Sequence, residues 1–263
     1  MDITTRNLFR LLRAGVLGRQ EQVEPMSAWK WGRAYHLSRV HGVEAEAWAG
    51  IRLCEDQFFM RLTDQQRARW EQSALQAPKA AEMTLPPRVR KKLRRMENDI
   101  PQTAYATLNV LRSLVVLAQS LLTADRWVRQ LLSLGVLLSG DKLRLDAEML
   151  EGWVGQLGME RMVQLEGALL TRLLCLSRER LPFRLTMSDA QAGQMVEEIV
   201  ATIDATTHQW QFSQGGNIFV HNSSSSAMYW QARHSVRYLK YHPVASISSF
   251  FTSFVQSLTN IEE

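Results

Sequence analysis

Residues 127–183, WVRQLLSLGVLLSGDKLRLDAEMLEGWVGQLGMERMVQLEGALLTRLLCLSRERLPF, decide the fold class. Three helices are read in this stretch, at about 127–138, 147–157 and 159–176, separated by loop signals at Ser139-Gly140-Asp141 and Gly158. Asp146 is placed as the N-cap of the middle helix, because its carboxylate can accept the free N–H groups of the first turn. Glu148 then favours the positive end of the helix dipole. Gly158 suits a left-handed C-cap. Met162, Leu165, Leu169, Leu173 and Leu176 recur at helical spacing and give the last helix a continuous apolar stripe.

Outward from there, the composition points the same way. With 263 residues and 46% apolar residues the chain can bury a large core. Its 14 Gly and 7 Pro leave few helix breakers among many Leu, Ala, Arg, Gln and Glu. The expected fold is all-α, a multi-helix bundle of two helical subdomains. A net charge of +5 is mild and local, a weak pointer to nucleic acid or an anionic surface. The two cysteines, Cys54 and Cys175, form no metal pattern, and a reducing cytoplasm is the expected compartment. The longest uncharged apolar run, Ser113–Ala124, falls short of the roughly 20 residues that span a bilayer, so a soluble chain without a transmembrane segment is expected.

Before the deciding stretch, helices are expected at 3–17, from Ser27 to His41, at about 44–62 and from a Thr63-Asp64-Gln65-Gln66 capping box to about Ala77. Residues 1–77 form the N-terminal subdomain in this reading, 78–101 a basic, Pro-containing linker or short helix, and 102–263 the C-terminal subdomain. A long helix begins near Thr103. A second capping box, Ser188-Asp189-Ala190-Gln191, opens a helix to about Asp204. The segment 208–226 alone shows strand-like alternation, so a small hairpin or loop is placed near 208–222. Two further helices are read at Met228–His242 and Ala245–Leu258, the second with an apolar face carrying Phe250, Phe251 and Phe254 that could pack on the core, form a homodimer seam or meet a membrane surface.

Six of the eight residues from Arg88 to Arg95 are basic: Arg88, Arg90, Lys91, Lys92, Arg94 and Arg95. A solvated linker is the plainer reading of such a run, and an anion-binding patch the functional one. It has no interleaved aromatics on which bases could stack. No catalytic, cofactor-binding or metal-ligating residue is assigned. The six histidines contain no HxxxH pair, and no GxSxG, GxxxxGK[ST] or GxGxxG occurs. The eight tryptophans are read as core anchors.

An ordered series of short motifs carries one family resemblance. Arg129–Leu131 (RQL), Arg144–Glu148 (RLDAE), Gln156–Arg161 (QLGMER) and Leu181–Phe183 (LPF) resemble the C-terminal helical part of an uncharacterised, polymerase-beta-like nucleotidyltransferase family common in Bacteroidetes. Gly215-Gly216-Asn217-Ile218-Phe219 is similar to its G-N-F-G element, and Tyr241-His242-Pro243 to its closing segment. Leu8–Gly18, Trp31 and Ser38–Val43 look like its opening helices. The resemblance implies a catalytic palm with a Lys-Gly segment and an Asp-x-Asp pair holding two divalent metals. Between the matching halves this chain has only Pro78–Pro101, too short for a sheet with crossover helices, and it contains no Lys-Gly and no Asp-x-Asp. The expected function is therefore non-catalytic: a helical binding or scaffolding protein, a degenerate relative of that family, with no cofactor and another protein as its partner. The alternatives are an enzyme of that type with an unrecognised site, and a module that binds nucleic acid or an anionic membrane.

Overall fold

The computed structural model describes residues 1–58, 60–76, 85–123, 125–140 and 144–211, with side chains through Ala201 apart from that of Gln102. Among these residues there are ten α-helices and no strand. In chain order they are α1 (Ile3–Leu17), α2 (Ala28–His41), α3 (Glu44–Leu53), α4 (Asp64–Leu75), α5 (Pro87–Asn98), α6 (Tyr105–Thr123), α7 (Trp127–Ser139), α8 (Ala147–Leu157), α9 (Glu160–Leu173) and α10 (Asp189–Gln211). The all-α bundle expected from the sequence is what the chain forms.

Helix ends follow their local chemistry. Asp146 Oδ1 accepts from Met149 N–H at 2.9 Å, and Gly158 closes α8 in the left-handed region at φ 66°. Both capping boxes form: Thr63 and Gln66 bond reciprocally, as do Ser188 and Gln191. The third helix ends at Leu53 rather than near 62. Gln57 stops it, donating from Nε2 to Glu21 O at 2.6 Å and accepting Val23 N–H at 2.9 Å, which ties the chain to the α1–α2 connection. Helix α9 also ends early, at Leu173. Cys175 turns left-handed at φ 51°, and Leu176 N–H bonds back to Leu170 O at 3.2 Å, a Schellman-like closure made without glycine. Helix α10 continues past Asp204 to Gln211, so 208–211 are helical and not the start of a hairpin. The rest of that expected hairpin, the two closing helices and Phe250, Phe251 and Phe254 lie outside the described residues.

One continuous buried cluster runs through both halves of the chain. Helix α1 packs on α2, α3 and α7, while α6 packs on α7, α8 and α9, and α9 carries α10. The α1–α3 contact is close enough to bring backbone against backbone. A Cβ on Gly50 would sit 1.9 Å from Leu11 O, and one on Gly15 would sit 2.1 Å from Glu46 O. Across the bundle, Arg129 Nη1 donates to Gly42 O at 2.6 Å, fixing α7 to the C-cap of α2. Trp31, Trp70, Trp127 and Trp153 are buried as expected of core anchors. Trp29 is not: it is 59% exposed, with the Arg33 guanidinium 5.9 Å from its ring centroid.

Helix α6 is, among the described residues, the one helix long and apolar enough to cross a membrane by length and composition. The feature is met equally by a core helix, and 61% of its apolar window is buried in the bundle.

Candidate functional site: a basic helix beside a cleft

Helix α5 is the basic run, and its existence rests on four apolar residues. Pro87 occupies the first helical turn, where its missing N–H costs nothing and its fixed φ suits the helix. Val89, Leu93, Met96 and Ile100 then recur at i, i+4, i+7 and i+11 and join the core, Leu93 and Met96 as its buried members. With that face inward, the six cations are left exposed. The linker-or-short-helix reading of 78–101 resolves for residues 87–98 as an amphipathic helix docked on the bundle.

The cations do not play equivalent parts. Lys92 Nζ donates to Gln156 O at 2.9 Å. That carbonyl lies in the last turn of α8, where a positive charge meets the negative end of the dipole. Glu97 leaves on the other flank to pair with Arg112 of α6 at 2.7 Å. Among the described residues, the side chains of Arg88, Arg90, Lys91, Arg94 and Arg95 make no hydrogen bond or ion pair. The first turn of α5 contains no acid that would offset Arg88 and Arg90. Cations at a helix N-terminus oppose the dipole, and like charges four residues apart repel by a few tenths of a kcal/mol. The fold therefore carries this charge at some cost and does not use it internally.

Beside α5 lies an open cleft of about 430 Å³ between α5 and α8. Lys92, Arg95, Met96, Asp99 and Ile100 form one wall, and Met149, Trp153 and Gln156 the other. On α8, Met149, Trp153 and Gln156 succeed one another at i, i+4 and i+7; across from them Lys92, Arg95 and Asp99 do so at i, i+3 and i+7. Met96 and Trp153 are recessed, each less than a tenth exposed, whereas Met149 is half-buried at the rim. The result is a cleft of mixed polarity, with Lys92, Arg95 and Asp99 along its α5 edge.

No family model, curated protein or solved structure matches this chain. Its function is thus argued from the geometry of its own residues.

The remaining titratable groups of note are buried and scattered. His41 sits edge-on to Trp127 with ring centroids 5.7 Å apart, and burial pushes its pKa down to about 4. Its Nδ1 has no hydrogen-bond partner among the described residues. Glu166, in the middle of α9, is fully buried with neither carboxylate oxygen bonded among the described residues, and burial raises its pKa well above the ordinary carboxylate range. Burial also raises the pKa of Glu44 at the start of α3. Among the described residues no three His, Cys, Asp or Glu side chains group to hold a metal ion.

Of the site residues expected from the sequence, the structure places all six cations on one helix and brings Lys92 and Arg95 to the cleft. Sequence reasoning missed the opposite wall. Met149 and Trp153 share a face of α8 with Gln156, a pattern legible as i, i+4, i+7. No local signal showed that this face would stand across from α5.

Proposed function

We propose that this chain is a non-catalytic helical binding or scaffolding protein of the cytoplasm whose contact surface is the outer flank of α5. One observation carries the reading: the side chains of five exposed cations on α5 have no partner among the described residues, and one of them, Arg95, lines the cleft toward α8. Exposed like charge that the described fold holds at some cost and does not use is the mark of a surface that meets a complementary partner. The lineage proposed is a nucleotidyltransferase-like one, reduced to its helical parts. It rests on the ordered motifs from Leu8 to Pro243, and the sequence holds no Asp-x-Asp to position metal ions against a triphosphate.

Isothermal titration of the full chain with Mg-ATP and Mg-GTP tests the non-catalytic half of the proposal. No metal-dependent binding is expected. Micromolar binding abolished by EDTA would overturn it. The basic strip also favours a second reading, a polyanion-binding module. In that case six phosphate contacts would give a slope of about −5 in log K against log salt on duplex DNA, a dependence that fluorescence anisotropy measures directly.

A further inference from the structure

We infer that α5 enters the major groove of duplex DNA, with Arg90 and Arg94 against one phosphate backbone and Arg88 and Arg95 against the other. The inference deepens the polyanion-binding reading above and rests on it.

The exposed arc of α5 sets the chemistry of its partner. From Arg88 to Arg95 every exposed side chain is a cation, and the two that are not exposed, Val89 and Leu93, join the core. A protein interface gathers its affinity in an apolar or aromatic centre and keeps charge at the rim. This arc is charged at its centre and has no apolar member, whereas interfaces with nucleic acid are more polar and far more positive. Arg88, Arg90, Arg94 and Arg95 all carry the planar fork that matches phosphate oxygens in pairs. Bases of a single strand would need aromatic rings to stack on, and 88–95 contains none. The backbone of a duplex needs no such ring.

The spread of the cations sets the shape. At about 100° per residue, Arg90 and Arg94 lie on one flank of α5, Arg88 and Arg95 on the other, and Lys91 near the crest, over about 160° of arc. That arc is centred opposite Val89, Leu93, Met96 and Ile100, so the cations fan out evenly on the side away from the core. A flat anionic surface, such as a membrane, meets the crest of the fan and leaves a flank unused. The two walls of a groove meet both flanks. The major groove of B-DNA is about 12 Å wide and admits a helix of about 10–12 Å diameter, while the minor groove, about 6 Å wide, does not. Duplex RNA keeps its major groove too narrow for side chains to read. Among the described residues α5 belongs to none of the closely packed helix pairs of the bundle, and it is held through its apolar side chains.

Fluorescence anisotropy of the full chain with a labelled duplex DNA of mixed sequence, repeated across salt concentrations, tests the inference. Lys92 is already held by Gln156 O, so four to five phosphate contacts are expected, with a slope of about −4 in log K against log salt. Arg90→Gln/Arg94→Gln and Arg88→Gln/Arg95→Gln should each make that slope shallower by about 2 and weaken binding about tenfold or more at low salt. Asp99→Lys replaces an exposed carboxylate four residues beyond Arg95 and should tighten binding, a gain that a damaged fold would not produce. Dimethyl sulfate footprinting should show guanine N7, a major-groove atom, protected in the complex. A flank pair whose loss changes nothing, or an unprotected N7, overturns the inference. Duplex RNA, single-stranded DNA or phosphatidylserine vesicles bound as tightly as duplex DNA also overturn it, while the polyanion-binding reading survives. Absence of binding to all four at low salt rejects that reading too and leaves α5 to a protein partner.

Discussion

Arg13 Nη1, on α1, donates to the carbonyl oxygen of Leu173 at the end of α9 at 2.8 Å, joining residues 160 positions apart. The same guanidinium grips Glu21 through two parallel bonds, Nε to Oε1 at 2.6 Å and Nη2 to Oε2 at 2.7 Å. Arg19 repeats the link next door, from Nη1 to Cys175 O at 2.8 Å. The end of α9 is therefore tied to the α1 end by two arginine-to-carbonyl bonds, one of them from a guanidinium that Glu21 holds in a bidentate fork, a geometry that lysine does not reproduce. Arg13→Leu leaves the Glu21 carboxylate and the Leu173 carbonyl short of a partner in a site only 11–14% exposed, and should cost about 2–4 kcal/mol. Urea denaturation of the variant beside wild type measures this, and Arg13→Lys should recover only part of the loss.

Gly50→Ala tests the α1–α3 contact. The added methyl would lie 1.9 Å from Leu11 O, a backbone atom that can yield only if the two helices part. Overpacking of this kind costs roughly 1–3 kcal/mol or more. Gly152→Ala is the matching control, since a Cβ there meets nothing within 4 Å. It should stabilise α8 by up to about 1 kcal/mol through helix propensity. Equal melting temperatures for the two variants would contradict the described packing.

Two buried groups give stability opposite dependences on pH. His41 is neutral in the fold down to about pH 4 but takes up a proton in the unfolded chain near 6.5. The unfolded state thus binds more protons between those values. The contribution is complete above about pH 6.5 and is lost as pH falls toward 4. At 1.36 kcal/mol per pH unit the gap is worth roughly 3 kcal/mol, and His41→Phe should flatten that limb of the stability profile.

Glu166 works the other way. Its folded pKa is raised, so the fold keeps the proton that the unfolded chain releases above the ordinary value of 4.5. Its favourable contribution is complete below that value and is lost as pH rises toward the folded pKa. Glu166→Met removes the unbonded buried carboxyl at similar volume, and should raise stability at neutral pH by about 1–3 kcal/mol. Thermal melts of wild type and variant from pH 4 to 8 show the sign.

Much of the bundle was legible because its signals are local. Asp146, Gly158, Thr63–Gln66 and Ser188–Gln191 each act within four residues, and the helices they bound fall where expected. The errors occur where a distant partner intervenes. Gln57 ends α3 by reaching Glu21, and Cys175 closes α9 in a conformation more often supplied by glycine. At the candidate site the six cations were read from composition alone. Their helix required Val89, Leu93 and Met96 to be read as one inward face. The cleft required the packing of α8 across from it, which no spacing within either segment encodes.

Amide hydrogen exchange on the full chain, with and without a protein captured from the native cell on the immobilised chain, tests the central claim most directly. Binding at α5 should slow exchange over Pro87–Asn98 and leave α1 and α3 unchanged. It should do so in wild type and not in Arg88→Glu/Arg94→Glu. Protection confined to other helices, or protection of α5 that persists in the reversal variant, would contradict the assignment of α5 as the contact surface.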